Sequence, residues 1–176
     1  FQQPIVPSVS EQLAPTVRQY SPETYKNPAS VPPGTVLVVG DGATGRDIAA
    51  ELSADRTVFL ATGRPRRLLP ERILGKSTWW WLARLGVLKI PGDNPLGQYI
   101  KRADSFPSRG RHLHDLRQMG VKIVPRLTQA DGRRVTFSNG ETTEVDAVVW
   151  ATGYQDRSDW VAVPEVKDAQ GNFVQR

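Results

Sequence analysis

The chain has 176 residues, 39% of them apolar, with a net charge of +5 and a pI near 9.8. That is enough for one domain with a real core, and a basic balance suits any polyanion, a phosphate-rich ligand included. Without cysteine there is no disulfide, thiolate nucleophile or Cys-based metal site, and the two histidines, His112 and His114, stand at i and i+2 and would point away from each other on a helix, so metal chemistry is not expected. The most apolar stretch, residues 79–90, is too short for a membrane span and carries Arg84 and Lys89. A soluble, cytoplasmic location is expected, with no visible signal peptide.

In chain order, residues 1–34 hold seven prolines and no sustained periodicity, and read as a connecting segment. Residues 36–39, Val-Leu-Val-Val, form an apolar strand that runs into Gly40, Gly42 and Gly45. In that context the three glycines fit a dinucleotide turn. Gly40 serves the tight reversal, Gly42 the approach of the pyrophosphate, and Gly45 the close packing of strand on helix. Residues 47–52 continue with helical spacing, so that a helix N-terminus would face the phosphates. A bland βα turn is the competing reading. Asp41, a carboxylate inside the turn, must point away from the phosphates or be offset by Arg46.

A second strand, residues 57–61, leads into Thr62-Gly63-Arg64-Pro65-Arg66-Arg67. No carboxylate stands between Asp55 and Glu71 to take ribose hydroxyls, whereas three guanidiniums in four residues suit a 2′-phosphate, so NADP is expected over NAD. A solvated basic loop is the bland alternative. Residues 68–88 show apolar helical turns, but Trp79, Trp80 and Trp81 on one helix would face three directions and cannot share one small core. A Pro/Gly-rich loop follows at 91–97, then a helix at 108–119 closed by Gly120, and a strand at 121–124. Turns at Asp131-Gly132 and Asn139-Gly140 separate three short strands of an antiparallel meander. The chain then returns to a continuous apolar strand, residues 147–150, of the kind buried in a parallel sheet, and Ala151-Thr152-Gly153-Tyr154 comes next. Together these elements predict an α/β, Rossmann-like three-layer sandwich, with a parallel sheet, crossover helices and a small antiparallel β-meander.

The order of these motifs resembles the two-dinucleotide-binding-domain flavoproteins, and within them the flavin-containing monooxygenases and their Baeyer–Villiger relatives. Residues 36–52 resemble that family's internal NADPH turn and Thr62-Gly63-Arg64 its 2′-phosphate loop. Residues 146–154, Asp-x-x-x-x-Ala-Thr-Gly-Tyr, are similar to its crossover toward the FAD domain, and Tyr25-Lys26-Asn27-Pro28 to its lead-in segment. The resemblance covers about residues 20–160. It implies a connecting segment at 1–34, an NADPH-binding domain at 35–154 and a return segment at 155–176, with FAD bound elsewhere in a longer parent protein. A chain that starts at Phe1, has Met119 as its only methionine and stops at Arg176 without a terminal helix also reads as a piece of such a protein. Departures exist: the FAD glycine turn is absent, Ala43-Thr44 stands for Asn-Ser, and Tyr20 replaces the hallmark histidine.

By resemblance, the intact protein would pass a hydride from NADPH to FAD and then activate oxygen on a small-molecule substrate. Because the cofactors carry that chemistry, no catalytic side chain is assigned. Gly40, Gly42, Thr44 and Gly45 would hold the pyrophosphate, and Thr62, Arg64 and Arg67 the 2′-phosphate. Ala151, Thr152 and Gly153 would make the close backbone approach near the nicotinamide or the hinge. A short-chain dehydrogenase is disfavoured, since Tyr99 is followed four residues on by Ala103 rather than lysine. A non-catalytic NADP-sensing or polyanion-binding module is the remaining alternative.

Overall fold

The computed structural model describes residues 2–63, 68–70, 72–87, 90, 94, 106–107 and 111–156. Its centre is a five-stranded, wholly parallel sheet. In chain order the strands are β2 (Arg18–Tyr20), β3 (Thr35–Val39), β4 (Thr57–Ala61), β9 (Lys122–Val124) and β13 (Ala147–Trp150); their order across the sheet is β2-β13-β3-β4-β9. Strand β3 is followed by helix α1 (Ala43–Leu52) and β4, whereas β13 returns to the other side of β3. The carboxyl ends of β3 and β13 therefore flank the place where the winding reverses, where dinucleotides bind in such sheets.

Period-two alternation splits these strands between two cores. Val36, Val38, Val58, Leu60, Ala147 and Val149 face Ile48, Ala49 and Leu52 of α1 and Leu116 of α3 (Leu113–Gln118). Leu37, Ala61, Val148 and Trp150 face Leu127, Val135 and Phe137 of the meander. Each fully buried Val or Leu contributes roughly 1.5–3 kcal/mol, so both faces are needed to hold the sheet. The layers are helices, parallel sheet and antiparallel ribbon, as expected. The meander consists of β10 (Leu127–Asp131), β11 (Arg134–Phe137) and β12 (Thr142–Glu144), and Gly132 and Gly140 take positive φ at its turns. It forms the crossover from β9 to β13. Asp146 fixes the start of β13: its Oδ2 accepts from Thr35 N at 2.8 Å, and its own N–H donates to Thr35 O at 2.8 Å.

Two sequence expectations need correction. The Pro-rich segment does more than connect: Arg18–Tyr20 adds an edge strand to the sheet, and Leu13, Val17 and Val31 enter the two cores. Three residues, two of them exposed, are too few for a period to show, and an edge strand needs pairing on one side only. Strand β1 (Gln2–Pro4) also pairs, antiparallel to β14 (Tyr154–Asp156). The segment is fastened by Arg56, which donates to the carbonyls of Pro28, Val31 and Pro32, and by Tyr20, whose hydroxyl donates to Ser30 O.

Residues 68–88, read as helical turns, begin as extended pieces. Leu68–Leu69 (β5) pairs with Phe106–Pro107 (β8), and Arg72–Ile73 (β6) forms a hairpin with Lys76–Ser77 (β7). Among the described residues of this stretch the α-helix spans Thr78–Arg84 (α2). Gly75, at φ +75°, turns the hairpin, and Ser77 Oγ accepts from Trp80 N at 3.1 Å, setting the helix start at Thr78. The helix expected at 108–119 spans Leu113–Gln118, with 108–110 outside the described residues; most of the 91–97 loop lies outside them too.

Candidate dinucleotide-binding site

At the carboxyl edge of the sheet, the ends of β3, β4 and β13 meet around the glycine turn. Gly40 has φ +108°, donates its N–H to Ala61 O at 2.9 Å, and could carry no side chain, because a Cβ would lie 2.3 Å from Ala151 O. Gly45 is tighter still. A Cβ there would sit 1.9 Å from Gly40 O and 3.1 Å from Ala151 Cβ. A glycine inside a helix costs about 1 kcal/mol relative to alanine, and here the cost is offset by letting α1 lie directly on the turn and on the end of β13. Both glycines are thus accounted for by the packing of the protein itself.

Gly42 differs. It is the N-cap of α1 with φ −68° and ψ −179°, backbone angles that any residue adopts, so conformation does not call for glycine there. It makes no side-chain cap hydrogen bond, and no acidic residue stands in the first turn of the helix. The N–H groups and positive dipole end of α1 therefore open at the reversal point with no acidic residue in the first turn, beside the exposed Ala43 and Thr44. This arrangement fits a pyrophosphate.

The carboxylate of Asp41 is turned inward and buried, where Arg46, itself buried, pairs with it at 3.3 Å. The offset expected from the sequence is therefore in place. Beside it, Thr62 donates both its N–H (2.9 Å) and its hydroxyl (3.1 Å) to Val124 O, which ties the end of β4 to β9 and leaves the hydroxyl able to accept only. Arg64 and Arg67 lie outside the described residues. Ala151 is half-buried under the two glycines. Thr152 and Gly153 turn away from them: the Thr152 hydroxyl donates to Ile5 O, and Gly153 O accepts from Ile5 N at 3.0 Å, so both extend the β1–β14 ribbon. The structure therefore gathers Gly40, Gly42, Thr44, Gly45, Thr62 and Ala151 at one edge and assigns Thr152 and Gly153 to the ribbon beside it. What sequence reading missed is made of backbone groups, the carbonyls of Val124, Ile5 and Arg111, which carry no residue-type signal.

A concave surface of about 440 Å³ at the opposite edge, lined by Gly34, Thr35 and residues 53–57, is remote from the turn. Among the described residues no group of three or more His, Asp or Glu side chains could hold a metal ion, and no helix is long and apolar enough to cross a membrane.

The fold and this edge define a Rossmann-type α/β unit, and its solved likenesses have the same architecture: a flavin-containing monooxygenase from Stenotrophomonas maltophilia superposes with a TM-score of 0.65 at 19% identity, over 99% of this chain and 46% of that one. No family model matches the sequence. Among curated proteins, an oxidoreductase described as CzcO-like from Geobacillus kaustophilus is 39% identical over 175 residues, 99% of this chain and 50% of that protein. A probable indole-3-pyruvate monooxygenase, YUCCA9 of Arabidopsis thaliana, is 28% identical over 164 residues, 77% of this chain and 39% of that protein. The chain is thus similar in sequence to the CzcO-like oxidoreductases and, at lower identity, to indole-3-pyruvate monooxygenases, and it shares its fold with flavin monooxygenases. It spans about half the length of the first of these relatives.

Proposed function

We propose that this chain is the NADPH-binding domain of an FAD-dependent oxidoreductase of the monooxygenase type. The observation that carries the reading is Gly42, an N-cap without a side chain or a conformational need for glycine, placed on an uncapped helix N-terminus at the reversal point of a parallel sheet. The α1 N–H groups take the pyrophosphate, with Thr44 exposed at the same helix turn; residues 62–67 take the ribose 2′-phosphate, the arginines there as donors. When bound, NADPH supplies a hydride to FAD held by another part of the parent protein, which then activates oxygen for a small-molecule substrate. The residues of this chain orient the nucleotide and move no proton.

Calorimetric titration tests the reading. A charge-assisted Arg–phosphate contact is worth about 1.5–3 kcal/mol, so NADPH should bind roughly 10- to 150-fold more tightly than NADH, and Arg64→Ala should remove most of the difference. Equal affinities in the unsubstituted chain would sink the NADP assignment. Tight FAD retention by this chain would mean that its turn serves the flavin. Displacement by DNA but not by 2′-phospho-ADP-ribose would support a general polyanion site instead.

A further inference from the structure

Asp41 brings a negative charge into the turn that receives the pyrophosphate, and Coulomb's law alone makes it unwelcome. Its surroundings show what it is used for. The residue is 4% exposed; Oδ2 pairs with Arg46 Nη2 at 3.3 Å, while Oδ1 accepts from Gly63 N–H, also at 3.3 Å. Arg46, 3% exposed, donates from Nε to the Asp41 carbonyl at 2.8 Å and from Nη1 to the Arg111 carbonyl at 2.9 Å. One carboxylate therefore joins the glycine turn, helix α1 and the residue that leaves β4, and the guanidinium adds the segment leading into α3.

We propose that the buried Asp41–Arg46 pair is a positioning device that sets the spacing between the pyrophosphate turn and the 2′-phosphate end of the site. The inference rests on the NADP(H) reading above, and Asp41 is in it a positioning residue that does not touch the nucleotide. A buried ion pair adds little net stability over apolar packing of the same volume, because desolvation offsets the attraction. What it adds is direction: two carboxylate oxygens bonded to two different elements hold those elements in one relation. Gly63 directly precedes Arg64 in the sequence, so the bond to Asp41 holds the residue after which the basic stretch begins.

Charge and tether act with opposite signs on an anionic ligand. Asp41→Asn removes the charge but keeps an oxygen for Gly63 N–H, whereas Asp41→Ala removes both. Each chain is titrated calorimetrically with ADP-ribose and 2′-phospho-ADP-ribose at one ionic strength. The unsubstituted chain should prefer the 2′-phosphorylated probe. Asp41→Asn should keep that preference while binding both probes as tightly or more so, and Asp41→Ala should lose about tenfold of it, the scale of one lost hydrogen bond. Because Asp41→Ala strands a buried guanidinium, the Asp41→Ala/Arg46→Met double variant, with its fold checked by circular dichroism, is measured beside it and should show the same loss. An unchanged preference in all variants, or an equal loss in Asn and Ala, overturns the tether and leaves the NADP(H) reading standing. No preference in the unsubstituted chain overturns the reading itself, and the tether with it.

Discussion

Around the glycine turn, Val38, Leu60 and Val149 are sealed from solvent, while in the hairpin and helix of residues 72–84, Leu74 is 87% exposed and Trp79 53%. The residue types are alike; the neighbours are not. In the first region three parallel strands, a helix and two glycines approach closely enough for backbone to touch backbone. In the second, a two-residue-per-strand hairpin and a seven-residue helix offer little backbone pairing among the described residues, and Leu74, Trp79 and Trp80 stay exposed. Trp80 and Trp81 pack edge to face with centroids 4.9 Å apart, and Lys76 lies 5.6 Å over the Trp80 ring, so this region satisfies itself locally. Burial here follows from topology more than from hydropathy.

The contrast breaks most sharply at Gly45. Gly45→Ala forces a methyl against the Gly40 carbonyl and is expected to cost about 3 kcal/mol or more, seen as a large drop in the urea midpoint. A midpoint within error of the unsubstituted chain would mean that α1 does not lie on the turn. Next comes truncation in the two regions. Leu60→Ala should cost about 2–5 kcal/mol, while Leu74→Ala stays within about 0.5 kcal/mol. Comparable losses at the two positions would erase the distinction.

Tyr25 lies between the two extremes. Burial, reinforced by the 2.7 Å hydrogen bond to Glu51 and by the charge of that residue, pushes its phenol well above the usual range. The unfolded phenol ionises near pH 10 and the folded one only at higher pH. The stability it contributes is therefore complete below about pH 10 and declines as pH rises beyond it. Tyr25→Phe should cost about 1 kcal/mol at pH 8, and the gap between the two proteins should narrow at pH 11. A gap that widens would contradict the assigned direction. The last effect is a gain, at Leu74, whose φ of +48° is one that asparagine tolerates better than leucine. Leu74→Asn should raise stability by up to about 1 kcal/mol in thermal denaturation, and a clear loss would show that the hairpin tip is covered.

The sheet was legible wherever a residue pattern repeats or a backbone geometry demands one residue type. The run at 36–39, the second strand, the meander turns at Gly132 and Gly140 and the final apolar strand all carry such signals. That three consecutive tryptophans cannot share one core was also readable, since a helix turns about 100° per residue. The strand at Arg18–Tyr20 was not, because its place depends on backbone pairing with residues about 130 positions later and on a side-chain link across the sheet, Trp150 Nε1 to Gln19 Oε1 at 2.9 Å. At the candidate site, Asp41 and Arg46 could be paired by charge, but their partners at Gly63 and Arg111 are backbone groups.

The ribbon in which Pro4 pairs with Tyr154 brings the incoming and outgoing strands of this unit side by side, one strand spacing, about 4.8 Å, apart. A pull on either strand is therefore borne by one short ladder, which Ile5 extends through its backbone contacts with Thr152 and Gly153, before it reaches the parallel sheet.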